Sequence, residues 1–313
     1  MTKIYQNFCG EDEYQKSRQT DIKPYIHCVM KSKTKLCNIE DKIKNTYEEY
    51  FSKKDEKAIT YESSVHISND KNILNEKSFE VYCDGNEYTF RMDHRYFSGL
   101  FFMILGKNFF DINPVNVMKE FYIPFVTEFF VLRFLFFMYW FKQECEENLD
   151  FVDNKNEIRR ESLCFNTDDI KYGKKRKYNV IFHLLSHIKS KLHLKRPLKI
   201  LIPIAFEATL ARYNNVGAIF FYFDGNYENM VNQIEANKYH ANATNILQRF
   251  VNSGKKARNI VDVVLSCGCF DGGHDKIIDN YVTYDNIADY PIYCLSVTFG
   301  NEVKSTITWM NKL

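Results

Sequence analysis

The stretch Ser78-Phe79-Glu80-Val81-Tyr82-Cys83-Asp84-Gly85-Asn86-Glu87-Tyr88-Thr89-Phe90-Arg91-Met92-Asp93-His94-Arg95-Tyr96-Phe97-Ser98-Gly99 decides the reading of this chain. Apolar and polar residues alternate from Ser78 to Cys83 and again from Glu87 to Met92, with the turn signal Asp84-Gly85-Asn86 between them, so this is a β-hairpin. Its second strand runs straight into His94 and on to Ser98-Gly99, where an apolar helix, Leu100 to Phe110, begins. The strand end delivers a histidine, whose imidazole ordinarily has a pKa near neutrality. It can take a proton from a hydroxyl, an amine or a thiol. Glycine at position 99 lets the backbone turn tightly into the helix. Asp93 and His94 are neighbours on a strand and therefore face opposite sides.

Upstream, Pro24 to Val29 reads as a short strand. A helix follows from about Asn38 to Phe51, with Ile39, Ile43, Tyr47 and Phe51 at four-residue steps. Residues 52–77 are charged and loop-like, with Ser64 to Ile67 a candidate edge strand. Downstream, Phe121 to Phe141 is the most hydrophobic segment. It holds Pro124, Glu128 and Arg133, and each ionised group at a bilayer centre costs about 2.5–3.5 kcal/mol. A buried or interfacial helix is the first reading, and peripheral membrane contact through residues 121–141 goes with it. A span and a partner-binding helix are the alternatives.

Residues 151–177, ending in the basic run Lys174-Lys175-Arg176-Lys177, read as an exposed connector. They separate an N-terminal lobe, 1–150, that carries His94 from a C-terminal lobe, 178–313. The second lobe opens with a helix from Val180 to about His193 and a strand from Leu198 to Ile204. The loop Asn214 to Gly217, a strand from Ala218 to Phe223 and the turn Asp224-Gly225-Asn226 come next. A long helix from Glu228 to Val251 precedes three apolar segments: Ile260 to Ser266, Pro291 to Phe299 and Glu302 to Trp309. Gly300-Asn301 between the last two is a hairpin signal.

Charge and cysteine usage narrow the partners. Forty-two Lys and Arg against 40 Asp and Glu leave a net charge of +2 over 313 residues, which speaks for no nucleic-acid partner. Nine cysteines, an odd number without a C-x-x-C, and no secretory signal suggest reduced thiols in the cytoplasm. Cys267-Gly268-Cys269 lacks the two further ligands of a zinc site. His183 and His187 are at helical spacing but lack the glutamate of H-E-x-x-H. Asp271-Gly272-Gly273-His274 lacks the strand–helix context of a phosphate loop and reads as a plain turn. No metal site follows from any of them.

Asp93-His94-Arg95-Tyr96-Phe97-Ser98-Gly99 resembles the H-H-x-x-x-D-G motif of the CoA-dependent acyltransferase superfamily. That superfamily includes chloramphenicol acetyltransferase, peptide-synthetase condensation domains and wax ester synthase/diacylglycerol acyltransferases. His94 matches the motif's second histidine and Gly99 its glycine; Asp93 replaces the first histidine and Ser98 the aspartate. Later segments fall in the family's order. Lys195-Arg196-Pro197-Leu198 leads to Ile202-Pro203-Ile204, and Asn214-Asn215-Val216-Gly217 precedes a strand. Asp262-Val263-Val264-Leu265-Ser266-Cys267 follows, and Leu295 to Gly300 matches a last hairpin. The similarity is diffuse and touches most of residues 78–313.

The resemblance implies an α/β fold of two chloramphenicol-acetyltransferase-like lobes with mixed sheets flanked by helices, meeting at a cleft. It implies no bound cofactor and an acyl-CoA or carrier thioester as co-substrate. The acyl group would pass to an alcohol or amine with His94 as general base. The apolar segment 121–141 favours a lipid-like acceptor over a sugar. The family's aspartate ion-pairs with an arginine; Ser98 cannot, though it is able to cap the following helix. Ser266 and Ser296 occupy places from which the family supplies an oxyanion donor. The basic run 174–177 is a solvated linker, or meets anionic lipid headgroups or a CoA phosphate. A catalytically inactive relative with a structural or interaction role is the alternative function.

Overall fold

A computed structural model gives the fold and describes residues 25–52, 60–70, 77–93, 96–97, 99–114, 158–193, 195–206, 215–237, 261–271, 273, 275–284 and 292–310. Strand β1 is Tyr25–Ser32, β2 Val65–Ser68, β3 Phe79–Asp84 and β4 Glu87–Asp93. Helix α1 is Ile39–Ser52, the one-turn α2 Tyr61–Ser64 and α3 Gly99–Phe110. Next come β5 (Asn113–Pro114), β6 (Ile158–Asn166), α4 (Arg176–Leu192), β7 (Leu198–Phe206), β8 (Asn215–Phe223) and α5 (Tyr227–Asn237). Strands β9 (Val263–Asp271), β10 (Ile277–Tyr284), β11 (Ile292–Phe299) and β12 (Glu302–Met310) end the chain.

The strands form two sheets. One has five strands in the order β10-β1-β4-β3-β2; the other has seven in the path β6-β12-β11-β9-β7-β8, with β5 paired to β9. Both mix directions. In the first, β2 runs parallel to β3 while the rest is antiparallel; in the second, β9 is parallel to both β7 and β11. The two turns legible in the sequence close the hairpins as expected. Asp84 pairs Glu87 across Gly85-Asn86, and Phe299 pairs Glu302 across Gly300-Asn301. Gly85 and Gly300 have φ of +60° and +55°, which a residue with a Cβ adopts only under strain.

Two cores result. One lies between the second sheet and the long helices: Ile181, Leu184, Leu185 and Ile188 of α4 pack on Ile200, Phe221, Leu265, Cys294 and Val303. The other joins the lobes. Cys28, Met30, Val81 and Phe90 of the first sheet meet Tyr50 of α1 and Phe101, Leu105 and Phe109 of α3. That same cluster holds Phe270, Val297 and Phe299 of the second sheet. Helix α3 is thus largely buried between the sheets, which explains why it is apolar except at Lys107 and Asn108, which bond Glu49 of α1.

Two strands differ from the sequence reading. Within the expected connector 151–177, Ile158–Asn166 is an edge strand paired along its length with β12. Its charges are explained by its position. Leu163 and Phe165 pack against the core under α4, while Arg160, Ser162 and Cys164 alternate with them and face solvent. Glu161 fastens it to α4 through Lys191 and His187, and the Lys191 hydrogen bond holds its carboxyl below the usual range.

The second difference is β10, which leaves the second sheet after β9 and pairs with β1 of the first, Ile26 opposite Tyr284 and Met30 opposite Asn280. The C-terminal half of the chain therefore completes the N-terminal sheet. Lys304 of β12 reaches Asp279 of β10, a further tie between the sheets. The apolar segment Phe121 to Phe141 and the residues 238–251 of the expected long helix lie outside the described residues. Among the described residues, no helix is long and apolar enough to cross a membrane.

Candidate functional site

The hairpin strand β4 ends at Asp93, and the chain turns there because two amides close on one carbonyl. Tyr96 N–H and Phe97 N–H both donate to Asp93 O at 3.0 Å. Asp93 N–H donates to Ser78 O at 2.8 Å, so the strand end is tied to the hairpin's other arm. Phe97 is the anchor of the turn. It is fully buried, with ring centroids of Phe101 at 4.7 Å, Phe79 at 5.4 Å and Phe51 at 5.8 Å. Tyr50 O–H donates to Tyr96 O at 3.3 Å. His94 and Ser98 lie outside the described residues, as does Arg95, but the residues that bracket them are held on both sides.

Helix α3 carries this turn onto the second sheet. Gly106 lets the helix backbone press on β9: an added Cβ would stand 2.4 Å from the ring of Phe270. On the strand side Met103 Sδ lies over Gly268, at ordinary contact distance (4.0 Å) from where a Cβ would stand. Phe102 lies edge-on to Phe270 at 5.9 Å, and Phe270 stacks on Phe299 at 5.1 Å. Moving from Gly106 back to Met103 on the helix means moving from Phe270 back to Gly268 on the strand, so the two run in the same direction. The two-residue period of a strand puts Ser266, Gly268 and Phe270 on this one face.

The two candidate serines of the second lobe part company here. Ser266 is half-buried on the face that receives α3. Ser296 pairs with Cys267 and therefore points to the other face, with Cys294, into the core under α4. It is buried and its Oγ accepts a hydrogen bond from Ser305 Oγ at 2.9 Å. That hydroxyl lies on the side of the sheet away from α3.

The neighbouring polar groups are structural. Arg196, of the Lys195-Arg196-Pro197-Leu198 segment, grips Asp262 with two bonds of 2.7 and 2.9 Å, and Asp262 also accepts Lys199 N–H at 2.8 Å. This fork ties the start of β7 to the start of β9. On the first sheet, the fully buried Glu80 accepts from Arg91 at 2.7 Å and from Tyr82 at 3.1 Å, and burial lifts the Tyr82 phenol to about 12. The sequence reading did not single out this pair. A signal was present, because a two-residue turn after Asp84 places position 80 opposite position 91.

Cys267, packed against the core under α4, has its thiol pushed up to about 12 by burial, so it is a poor nucleophile. Among the described residues, no three His, Cys, Asp or Glu side chains converge as metal ligands. A depression of roughly 490 Å³ lined by Ser186, Lys189, His193 and Phe223 holds none of the candidate residues.

No protein-family model and no curated protein sequence matches the chain. Solved structures do match it. A variant of the starter condensation domain of rhizomide synthetase RzmA, in complex with C8-CoA and Leu-SNAC, superposes with a TM-score of 0.60 at 7% identity, over 98% of this chain and 88% of that one. The fold is that of the condensation domains. VibH, an NRPS condensation enzyme, gives 0.55 at 10% identity, over 93% of this chain and 86% of that one. Polyketide synthase associated protein 5 from Mycobacterium tuberculosis gives 0.51 at 10% identity, over 98% and 93%. At such identities the likeness is one of fold, and the two mixed sheets flanked by helices are the condensation architecture expected from the sequence.

Proposed function

We propose that this chain transfers an acyl group from a CoA or carrier thioester to the hydroxyl or amine of a small or lipid-like acceptor, with His94 as general base. The observation that carries the reading is the register of α3 on β9. From Phe270 back to Ser266 is four strand residues, about 13 Å. The same distance along a helix, at about 1.5 Å per residue, takes nine residues from Gly106 to positions 97–99, where the His94 turn becomes α3. This supports a reacting centre between the turn and Ser266. The condensation fold supports it too, since the RzmA variant was solved in complex with C8-CoA and Leu-SNAC.

The chemistry follows from those groups. His94 removes the acceptor's proton as the acceptor oxygen or nitrogen bonds to the thioester carbon. The carbonyl oxygen becomes an oxyanion, and Ser266 Oγ–H donates to it. The tetrahedral centre then collapses, the carbon–sulfur bond breaks, and the imidazolium returns its proton to the leaving thiolate. Ser98 acts by capping α3, which holds the turn in place of the family's aspartate. A second reading, a relic of the fold with an interaction role, is favoured by the two departures at Asp93 and Ser98.

Thermal stabilisation separates the two. A ligand at a hundredfold over its Kd stabilises by about 2.7 kcal/mol, which for a chain of this size raises Tm by about 5 °C. A panel of CoA and pantetheine thioesters from acetyl to palmitoyl is expected to contain at least one that gives this rise. A flat panel would favour the relic.

A further inference from the structure

Five of the seven residues 171–177 are cations, in a chain whose basic and acidic residues otherwise nearly cancel. We propose that this segment, the loop from Lys171 to Lys175 with Tyr172 in it and the first residues of α4, is a docking surface for an anionic phospholipid bilayer. The inference does not depend on the transferase reading and involves none of residues 121–141.

The loop is built to hold its shape. Asn179, buried in the first turn of α4, accepts from Gly173 N–H at 2.9 Å and donates to Gly173 O at 3.0 Å. An added Cβ at Gly173 would stand 2.4 Å from the hydroxyl of Tyr227, so the backbone lies directly on that side chain. On this support Lys171, Lys174 and Arg176 are exposed, and none of the three side chains has a hydrogen bond or ion pair among the described residues. Lys175 is paired with Glu235 at 2.8 Å. Asp168, Asp169 and Glu235 offset part of the charge and leave a positive surplus.

Tyr172 is 44% exposed and is the one large hydrophobic side chain exposed among the described residues. An amphipathic ring amid lysines and an arginine is the composition that settles at headgroup level on an anionic membrane. A single-stranded nucleic acid would need a free aromatic face on which to stack a base. Tyr172 is already packed by Phe182 at 4.5 Å and Tyr227 at 6.3 Å, and its hydroxyl is bonded to His183 Nδ1 at 3.2 Å. Three long cationic side chains without anchors suit a fluid array of lipid charges better than the fixed ion pairs of a folded acidic partner.

The test is co-sedimentation of the full chain with sucrose-loaded phosphatidylcholine vesicles, with and without about 30 mol% phosphatidylserine. The wild type is compared with the triple variant Lys171→Gln, Lys174→Gln, Arg176→Gln, whose matching Tm shows that it is folded. Wild type is expected to bind only the phosphatidylserine vesicles and to be released when salt rises from about 0.1 to 0.5 M. At roughly fivefold per cation, the triple variant is expected to bind about a hundredfold more weakly. Failure of the wild type to bind these vesicles would overturn the proposal, and so would equal binding by the triple variant. Binding to a single-stranded RNA or a polyglutamate probe without vesicle binding would overturn it in favour of a macromolecular polyanion.

Discussion

His94→Ala is expected to lower acyl-transfer turnover by about 10²- to 10⁴-fold, the usual cost of losing a general base. Stability is expected to change by no more than about 1 kcal/mol, because the turn is held by groups other than this side chain. The Asp93 carbonyl accepts two amides and Phe97 is plugged into an aromatic cluster on the far side. The pair of measurements matters more than either one. A fall in turnover with an unchanged urea midpoint assigns the loss to chemistry. A fall in both would make His94 a structural residue of the turn, and unaltered turnover would remove it from the mechanism.

The second large effect is expected at Phe270. Its side chain is 1% exposed, stacks on Phe299, meets Phe102 edge-on and receives the backbone of α3 at Gly106. Phe270→Ala is expected to cost about 3–5 kcal/mol, the range for emptying a buried aromatic site. Against a typical total of about 5–15 kcal/mol, that is a large share of the fold's stability. Because Phe270 sets the seat of α3 on β9, turnover is expected to fall as well, even under conditions where the variant stays folded. Chemical denaturation followed by both far-UV circular dichroism and aromatic fluorescence reads the cost. A change below about 1 kcal/mol would mean that the lobes are held by other contacts.

Much of the fold was legible because local chemistry fixed it. The alternation through Ser78–Met92, the two glycine turns and the four-residue apolar steps of α1 each specify an element without reference to distant residues. The two strands that escaped did so for physical reasons. β6 shows only one face to the core, and its outward Arg160, Ser162 and Cys164, with the exposed Arg159 near its start, give the segment the composition of a linker. β10 finds its partner β1 some 250 residues earlier in the chain, and local pattern carries no record of which edge a strand will join.

The site divides in the same way. His94 and Ser98 stood out only through the resemblance to a motif, since an isolated histidine before a helix has no signature of its own. Ser266 and Ser296 looked equivalent as strand hydroxyls. What separates them is the parity of β9 and β11 and the face on which α3 lands, and that close approach depends on Gly106. Gly106 lies in no turn, so it does not announce itself in sequence.

Isothermal titration of an acyl thioester into the protein tests the central claim most directly, with Ser266→Phe as the comparison. The ring would fill the space on β9 level with the start of α3, where the thioester carbonyl is placed in the proposed mechanism. The thioester that gives the largest rise in Tm is expected to bind the wild type and to bind Ser266→Phe at least about tenfold more weakly, a difference of about 1.4 kcal/mol. The comparison holds for a variant that melts with the wild type. Equal affinity for the two proteins, or no heat from the wild type with any CoA or pantetheine thioester, would contradict the account.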